Sequence, residues 1–292
     1  MITHDCTGFS SFDVLDLLER ITLSPKDMLA ISMSEVEVLR FGYSSFISLA
    51  ELYGMRFCTP TSDGKTITLH FEKLDLSRSF HVEISSDEKY GATSSFASVN
   101  KNSKFSFLYH YQKALLFCGV KHKKRILNLG INRGDEFSVI ERLLGEKFAG
   151  VELVGVDHSH SAIEEAKKSF ASPKHTFYAH DINDLASLGL GRFDLIISIA
   201  TLQSSGLNFN QTLMQIYQNH LQKGGSMLLG FPNCRWVDGE MNYGAKAPNY
   251  NFSEMSLLLK DLHFAKKYLQ QKRYRVVISG KEYIFLSARE IG

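Results

Sequence analysis

Apolar positions along this chain recur with two different periods. From Phe12 to Ile21 they fall at Val14, Leu15, Leu17, Leu18 and Ile21, a helical stripe that Ser11 is placed to cap. In KTITLHFEKL the residues Ile67, Leu69 and Phe71 alternate with polar neighbours, and in SFHVEIS Phe80, Val82 and Ile84 do the same. These two runs predict an antiparallel pair with one wet face, turning over residues 75–78. Residues 1–85 therefore read as a small accessory α+β unit, in which nothing identifies a chemistry.

Residues 86–104 are rich in Ser, Asn, Lys and Gly without a sustained apolar period, the pattern of a linker or flap. Beyond them the rhythm changes. RILNLG reads as a short strand, residues 137–144 as a helix, VELVGVD as a strand, and SAIEEAKKSF as a helix capped by Ser159 or Ser161. HTFYAHD, FDLIISIA, a helix over residues 213–221 and SMLLGF continue the alternation, which implies a parallel sheet covered by helices on both faces. A helix over residues 253–269 is then followed by YRVVISG and EYIFLSA. Too few residues separate these last two for a helical crossover, so they are expected to be antiparallel neighbours.

Composition narrows the partners more than the fold. The 292 residues are 44% hydrophobic and 22% charged, enough for a sizeable core, and a net charge of +2 is far from that of a dedicated nucleic-acid binder. Cys6, Cys58, Cys118 and Cys234 are widely separated, without the spacing of a metal knot or a disulfide framework, so no metal is expected and a reducing cytoplasm fits. MITHDCTGFSS lacks the form of a secretion signal, and the longest apolar stretch is too short for a membrane span. The expectation is a cytoplasmic protein with no membrane partner.

In an open α/β sheet, ligands bind beyond the carboxyl ends of the strands, where strand order reverses. Four segments end strands there. Asn128-Leu129-Gly130-Ile131-Asn132-Arg133-Gly134 has glycines that permit a tight turn and close backbone approach, although such glycines also mark ordinary turns. Asp157 ends the next strand, where a carboxylate can accept from both ribose hydroxyls of a nucleoside or merely cap a helix. Asp181 and Ile182 follow the third strand, positioned to meet an adenine amino group and ring, or to form a plain loop. Ala200 lies in the fourth segment, SIATLQ, the floor beneath such a ligand.

In their joint order, ILNLGINRG, VGVDHSHSAIEEAKK, HDIND, FDLIISIATLQ and LQKGGSMLLGFPN resemble the class I S-adenosylmethionine-dependent methyltransferases, over residues 105–292. The resemblance implies a Rossmann-like doubly wound seven-stranded sheet with a C-terminal antiparallel hairpin, and S-adenosyl-L-methionine as cofactor. It implies that Asn128, Gly130, Asn132 and Gly134 line the methionine part, that Asp157 holds the ribose with His158 bordering the adenine, and that Asp181 and Ile182 hold the adenine over Ala200. The family usually has an acidic residue where Asn128 stands and glycine where Asn132 stands. A nicotinamide-binding domain would instead show G-x-G-x-x-G, which G-I-N-R-G does not supply.

The acceptor is less legible. Family members that act on the amino groups of DNA bases or glutamine share an Asp/Asn-Pro-Pro-aromatic motif after the fourth strand, where this chain has Ala200-Thr201-Leu202-Gln203, and Cys234 lacks the neighbours of a cytosine-directed nucleophile. DNA is therefore not expected. The connection over residues 232–252 is long and carries Arg235, Trp236, Glu240 and Tyr243, so it reads as facing the acceptor, with a homo-oligomer interface as the other reading. His110, His158, His160 and His180 lie near the expected ligand edge, but no catalytic base is assigned. The basic run Lys121-His122-Lys123-Lys124-Arg125 reads first as a solvated loop, and RNA contact is the alternative. Methyl transfer to an O or N atom of a small molecule is the leading expectation; an RNA acceptor, or a cofactor-fold binding protein without catalysis, are the others.

Overall fold

The computed structural model describes residues 1–78, 100–204, 206–243 and 255–291. By compactness the chain divides into two units, Met1–Val82 with Trp236–Asn242, and Glu83–Arg235 with Tyr243–Gly292. This differs from the division read in the sequence. A short piece of the expected acceptor loop belongs to the N-terminal unit, and the whole of the expected linker, of which residues 86–99 lie outside the described residues, falls in the second.

The N-terminal unit is a five-stranded sheet. Strands β1 (Ile2–Asp5), β2 (Met28–Ser34), β5 (Thr66–Lys73) and β3 (Met55–Phe57) are neighbours in that order, and β4 (Thr61–Ser62) also pairs with β5. The period-two pattern of β5 is seen directly: Ile67, Leu69 and Phe71 are buried, and between them Thr68 and His70 are not. They pack with Leu29, Ile31 and Met33 of β2 and with Val14 and Leu18 of helix α1 (Ser11–Arg20). Ser10, rather than Ser11, caps α1. Its hydroxyl accepts from the Asp13 N–H at 3.3 Å while the Asp13 carboxylate accepts from the Ser10 N–H at 2.7 Å, a reciprocal box that Ser11 cannot form. Helices α2 (Glu35–Phe41) and α3 (Tyr43–Leu52) complete the layer. The expected partner strand in SFHVEIS lies outside the described residues; among the described residues β5 pairs with β2, β3 and β4.

The second unit is a seven-stranded sheet in the order β13-β14-β10-β9-β6-β7-β8. Its strands are β6 (Arg125–Leu129), β7 (Glu152–Asp157), β8 (His175–Ala179), β9 (Phe193–Ile199), β10 (Leu221–Pro232), β13 (Tyr274–Gly280) and β14 (Tyr283–Glu290). The first five run parallel, and β14 is antiparallel to both β10 and β13, so the closing hairpin is present as expected. Strand order reverses between β6 and β9. That places the ligand crevice above their carboxyl ends.

One face of this sheet, carrying Leu127, Val154, Val156, Ile196, Met227 and Leu229, is covered by α7 (Phe209–His220) and α8 (Met255–Gln271). On the other, Phe107 and Tyr111 of α4 (Phe105–Phe117) meet Phe285, and Phe137 of α5 (Asp135–Leu144) meets Phe177. Helix α6 (His160–Ser169) starts at Ser159, whose hydroxyl accepts from the Ala162 N–H. Residues 232–243 are not a loop. Pro232 ends β10, and β11 (Cys234–Val237) turns back into β12 (Glu240–Tyr243). The rest of the connection lies outside the described residues.

Candidate active site

The loop leaving β6 is shaped by backbone that few side chains tolerate. Gly130 has φ +74° and Gly134 φ +94°. A Cβ at Gly130 would lie 1.8 Å from Thr201 Oγ1, and one at Gly134 would lie 2.4 Å from the Phe170 ring. Asn132 stands between them at φ +50°, a left-handed conformation that asparagine adopts more readily than most residues. Its departure from the family's glycine therefore preserves the turn. The loop is clasped to the next strand by N–H bonds of Gly130 and Ile131 to the Val156 carbonyl, at 2.8 and 3.3 Å.

Asp157 sits at the centre of this edge, 7% exposed. Its Oδ2 accepts from the Asn132 N–H at 2.8 Å and its Oδ1 from the Ser159 N–H at 3.0 Å. It is thus no exposed helix cap, and two backbone donors fix both oxygens. An ionised carboxylate has about four lone-pair sites, so each oxygen keeps room for a further donor. His158, with its side chain half exposed, brings Nδ1 to 3.4 Å from Oδ1.

Asn128 is fully buried in β6, in register with Gly155 on one side and Ile197 on the other. Among the described residues neither its Oδ1 nor its Nδ2 has a hydrogen-bond partner. Gln203, 6% exposed in the segment after β9, likewise has an unpartnered Oε1. Burying such groups unpaired costs about 1 to 3 kcal/mol each, so a polar ligand at these strand ends offsets a real penalty. Ala200 has φ +61°, and its N–H is held by the Gly230 carbonyl at 2.8 Å, which turns the chain sharply at the end of β9.

Asp181 is exposed and its Oδ1 accepts from the Asn183 N–H at 2.9 Å, capping the 3-10 turn Ile182–Leu188. Ile182 packs partly on the core. His180 is engaged locally with the Asp184 carbonyl at 2.9 Å, and its N–H holds the Asp157 carbonyl at 2.8 Å. Gly130, Asn132, Asp157, Ala200 and Asp181 therefore all stand at the carboxyl edge of adjacent strands.

Of the four residues expected to face the acceptor, Arg235 is exposed and Tyr243 is 42% exposed with the Lys281 ammonium over its ring. Trp236 is 5% exposed, and Glu240 takes Arg56 Nε at 2.9 Å within the N-terminal unit. Cys234 is buried, and burial pushes its thiol far above the ordinary range.

A buried ion pair at the start of α5 carried no signal in the sequence. Lys101 Nζ lies 2.7 Å from Glu136 Oε1, both side chains almost wholly enclosed. Burial raises the Glu136 carboxyl and the Lys101 charge opposes that rise. Ser106 donates to Glu282 Oε2 at 2.6 Å nearby in sequence to this pair. The partners are 35 and 176 positions apart, so only the fold unites them.

A family model described as a methyltransferase domain matches residues 121–279. No curated protein matches the chain. Among solved structures, the plantazolicin methyltransferase BpumL in complex with SAH is 13% identical, with 74% of this chain and 95% of that chain covered and a TM-score of 0.47. The CurJ carbon methyltransferase is 16% identical, with 94% and 88% covered and a TM-score of 0.49. Among the described residues no helix is long and apolar enough to cross a membrane.

Proposed function

The chain belongs to the methyltransferase domain family of class I S-adenosylmethionine-dependent enzymes, and from that premise we propose that its second unit transfers a methyl group by in-line displacement to an oxygen or nitrogen of a small molecule. The observation that carries this reading is the buried Asp157 carboxylate, fixed by two backbone donors at the switch edge with acceptor capacity to spare.

The residues present fit the cofactor. The orphaned carboxamide of Asn128 and the left-handed turn at Gly130, Asn132 and Gly134 suit its methionine part. Asp157 suits the ribose hydroxyls with His158 beside it, and Asp181 with Ile182 suits the adenine over Ala200. When bound, S-adenosylmethionine supplies a methyl group on a sulfonium centre. The protein's task is then to hold two reactants in line and exclude water, which needs few specialised side chains. Asn128 lacks the charge of the usual acidic residue, so it orients the ligand by hydrogen bonding alone.

The absence of the amino-directed motif at Ala200-Thr201-Leu202-Gln203 supports a small-molecule acceptor over a nucleic-acid base. Arg235 and Tyr243 are the acceptor-facing candidates because their side chains are exposed. Trp236 and Glu240 contribute by holding the hairpin, one buried and the other paired with Arg56. The test is calorimetric titration of the full chain with S-adenosylmethionine and S-adenosylhomocysteine, followed by transfer of labelled methyl to a small-molecule extract and, separately, to RNA. Saturable binding of both and label in the small-molecule fraction are expected. Absence of binding overturns the proposal, and label appearing in RNA overturns its acceptor.

A further inference from the structure

The basic run that the cofactor edge does not use lies at the opposite edge of the same sheet. A cavity of about 680 Å³ opens there, lined by Phe117 and Cys118 at the end of α4, by His122 and Lys123, and by the starts of β9 and β10 and the end of β14. Because β9 and β10 are parallel and β14 runs against them, this is the amino edge. A strand of seven residues at about 3.3 Å each separates it from Ala200 by roughly 20 Å.

Its charges are unbalanced in a specific way. Asp194 and Glu290 line the cavity, but both are already engaged by uncharged N–H donors. Asp194 Oδ2 accepts from the Lys124 and Arg125 N–H groups at 2.9 Å each, its Oδ1 from the Gln222 side chain, and Glu290 from the Gly224 N–H. Among the described residues, Lys123, Lys223 and Arg289 have no carboxylate within ion-pair distance. Arg289 also stands directly opposite Arg275 across the β13/β14 pair, and both guanidinium groups lie over the Phe117 ring, at 5.2 and 6.0 Å. Like charges directly opposed in a sheet repel. Lys123 is half-buried, and that burial lowers its amine below the ordinary lysine range, with Asp194 opposing the shift.

We propose that this cavity is an anion site, separate from the cofactor edge, that takes a small phosphate-bearing molecule between Lys123, Lys223 and Arg289. A multiply charged group offsets the Arg275–Arg289 repulsion and gives each unpaired cation a partner. An arginine fork with two lysine ammonium groups matches phosphate oxygens. The volume exceeds that of a bare ion and falls in the range of ligand pockets, so an organic portion fits beside the phosphate.

Pyrophosphate is the probe, titrated calorimetrically into the full chain at matched ionic strength, because exposed cations are screened by salt. Saturable binding is expected. Lys223→Gln combined with Arg289→Gln should weaken it at least tenfold, and Lys123→Gln alone several-fold. S-adenosylhomocysteine affinity should change by less than twofold in each variant, and thermal melts without ligand should show each one folded. No saturable uptake by the parent protein overturns the proposal, as does uptake that the variants leave unchanged. Binding of a short RNA without binding of pyrophosphate also overturns it, and marks the patch as a nucleic-acid surface. The separate cofactor titration distinguishes failure here from failure of the methyltransferase reading.

Discussion

The Asp157 carboxylate accepts the backbone N–H of Asn132 at 2.8 Å, so the acidic end of one strand clamps the glycine loop that leaves its neighbour. A single residue thereby shapes the loop and, in the proposed function, also holds the cofactor's ribose. Asp157→Ala leaves two buried N–H groups unpaired, at about 1 to 3 kcal/mol each. It should lower the melting temperature and weaken S-adenosylhomocysteine binding by roughly tenfold to a thousandfold, each 1.4 kcal/mol being a factor of ten. Asp157→Asn keeps the volume and one acceptor oxygen, and should lose less stability than affinity. Calorimetry and thermal melts on both variants check this. Wild-type affinity in Asp157→Asn would remove the ribose role.

Asn132 offers a cleaner test of backbone preference. At φ +50° a residue with a Cβ and no local hydrogen-bonding group is strained by about 1 to 2 kcal/mol. Asn132→Ala should destabilise by about that amount, whereas Asn132→Gly, the residue usual in the family, should be near neutral. Equal melting temperatures for the two variants would show that the left-handed turn is not what selects this position.

Gly130 and Thr201 form a tight pair across the crevice. A Cβ at Gly130 would fall 1.8 Å from Thr201 Oγ1 and 2.6 Å from Thr201 Cβ. Gly130→Ala therefore combines overpacking, about 1 to 3 kcal/mol, with strain at φ +74°. Because the Cβ contact survives truncation, Thr201→Ala should not rescue it. A double-mutant cycle on stability and cofactor affinity decides: full rescue by Thr201→Ala would mean that only the hydroxyl and methyl beyond the Thr201 Cβ are in the way.

The parallel sheet, its closing hairpin and the placing of these motifs at the carboxyl ends of adjacent strands were legible because strand-ending motifs are local. GINRG after RILNL and Asp157 after VELVGV each carry their meaning within a few residues. The Lys101–Glu136 pair and the Glu282–Ser106 bond join distant positions through tertiary packing, and nothing in their local sequence marks them. The same holds for the stretch after Pro232. Its length and its aromatic and charged content read as a substrate loop, but Trp236 is buried and Glu240 is matched to Arg56, 184 positions away. Ser10 displaced Ser11 as the α1 cap for a subtler reason, since only from Ser10 is the reciprocal partner Asp13 at the right offset.

Thiol reactivity should sort the cysteines by depth. Burial raises Cys6 to about 11 and Cys118 to about 12, pushes Cys234 further, and raises the half-buried Cys58 less. The thiolate is the reactive form, so near pH 8 Cys58 should be alkylated first in the native protein and the other three only on unfolding. Mass spectrometry after timed alkylation reads this out. Rapid labelling of Cys234 would contradict its burial.

Asp238 anchors the inserted hairpin within the N-terminal unit. Its side chain is 1% exposed, and it pairs with Lys26 and, at 2.5 Å, with Arg78, while the Asp75 N–H donates to it at 3.3 Å. Burial alone would raise this carboxyl, but the Lys26 hydrogen bond, the Asp75 N–H and the two positive charges outweigh it and hold it below the ordinary range. A carboxyl depressed in the folded state stabilises fully above its unfolded value, about 3.9, and that contribution is lost as pH falls through the folded value. Asp238→Asn should therefore reduce stability at neutral pH and flatten its decline in acid. Removing one partner of a wholly buried pair costs about 3 to 5 kcal/mol. The loss here should be smaller, because the Lys26 and Arg78 side chains are 49% and 63% exposed and return to water once released. Urea melts from pH 3 to 7 check both parts. A variant as stable as the parent at pH 7, with the same acid dependence, would show that Asp238 does not anchor the hairpin.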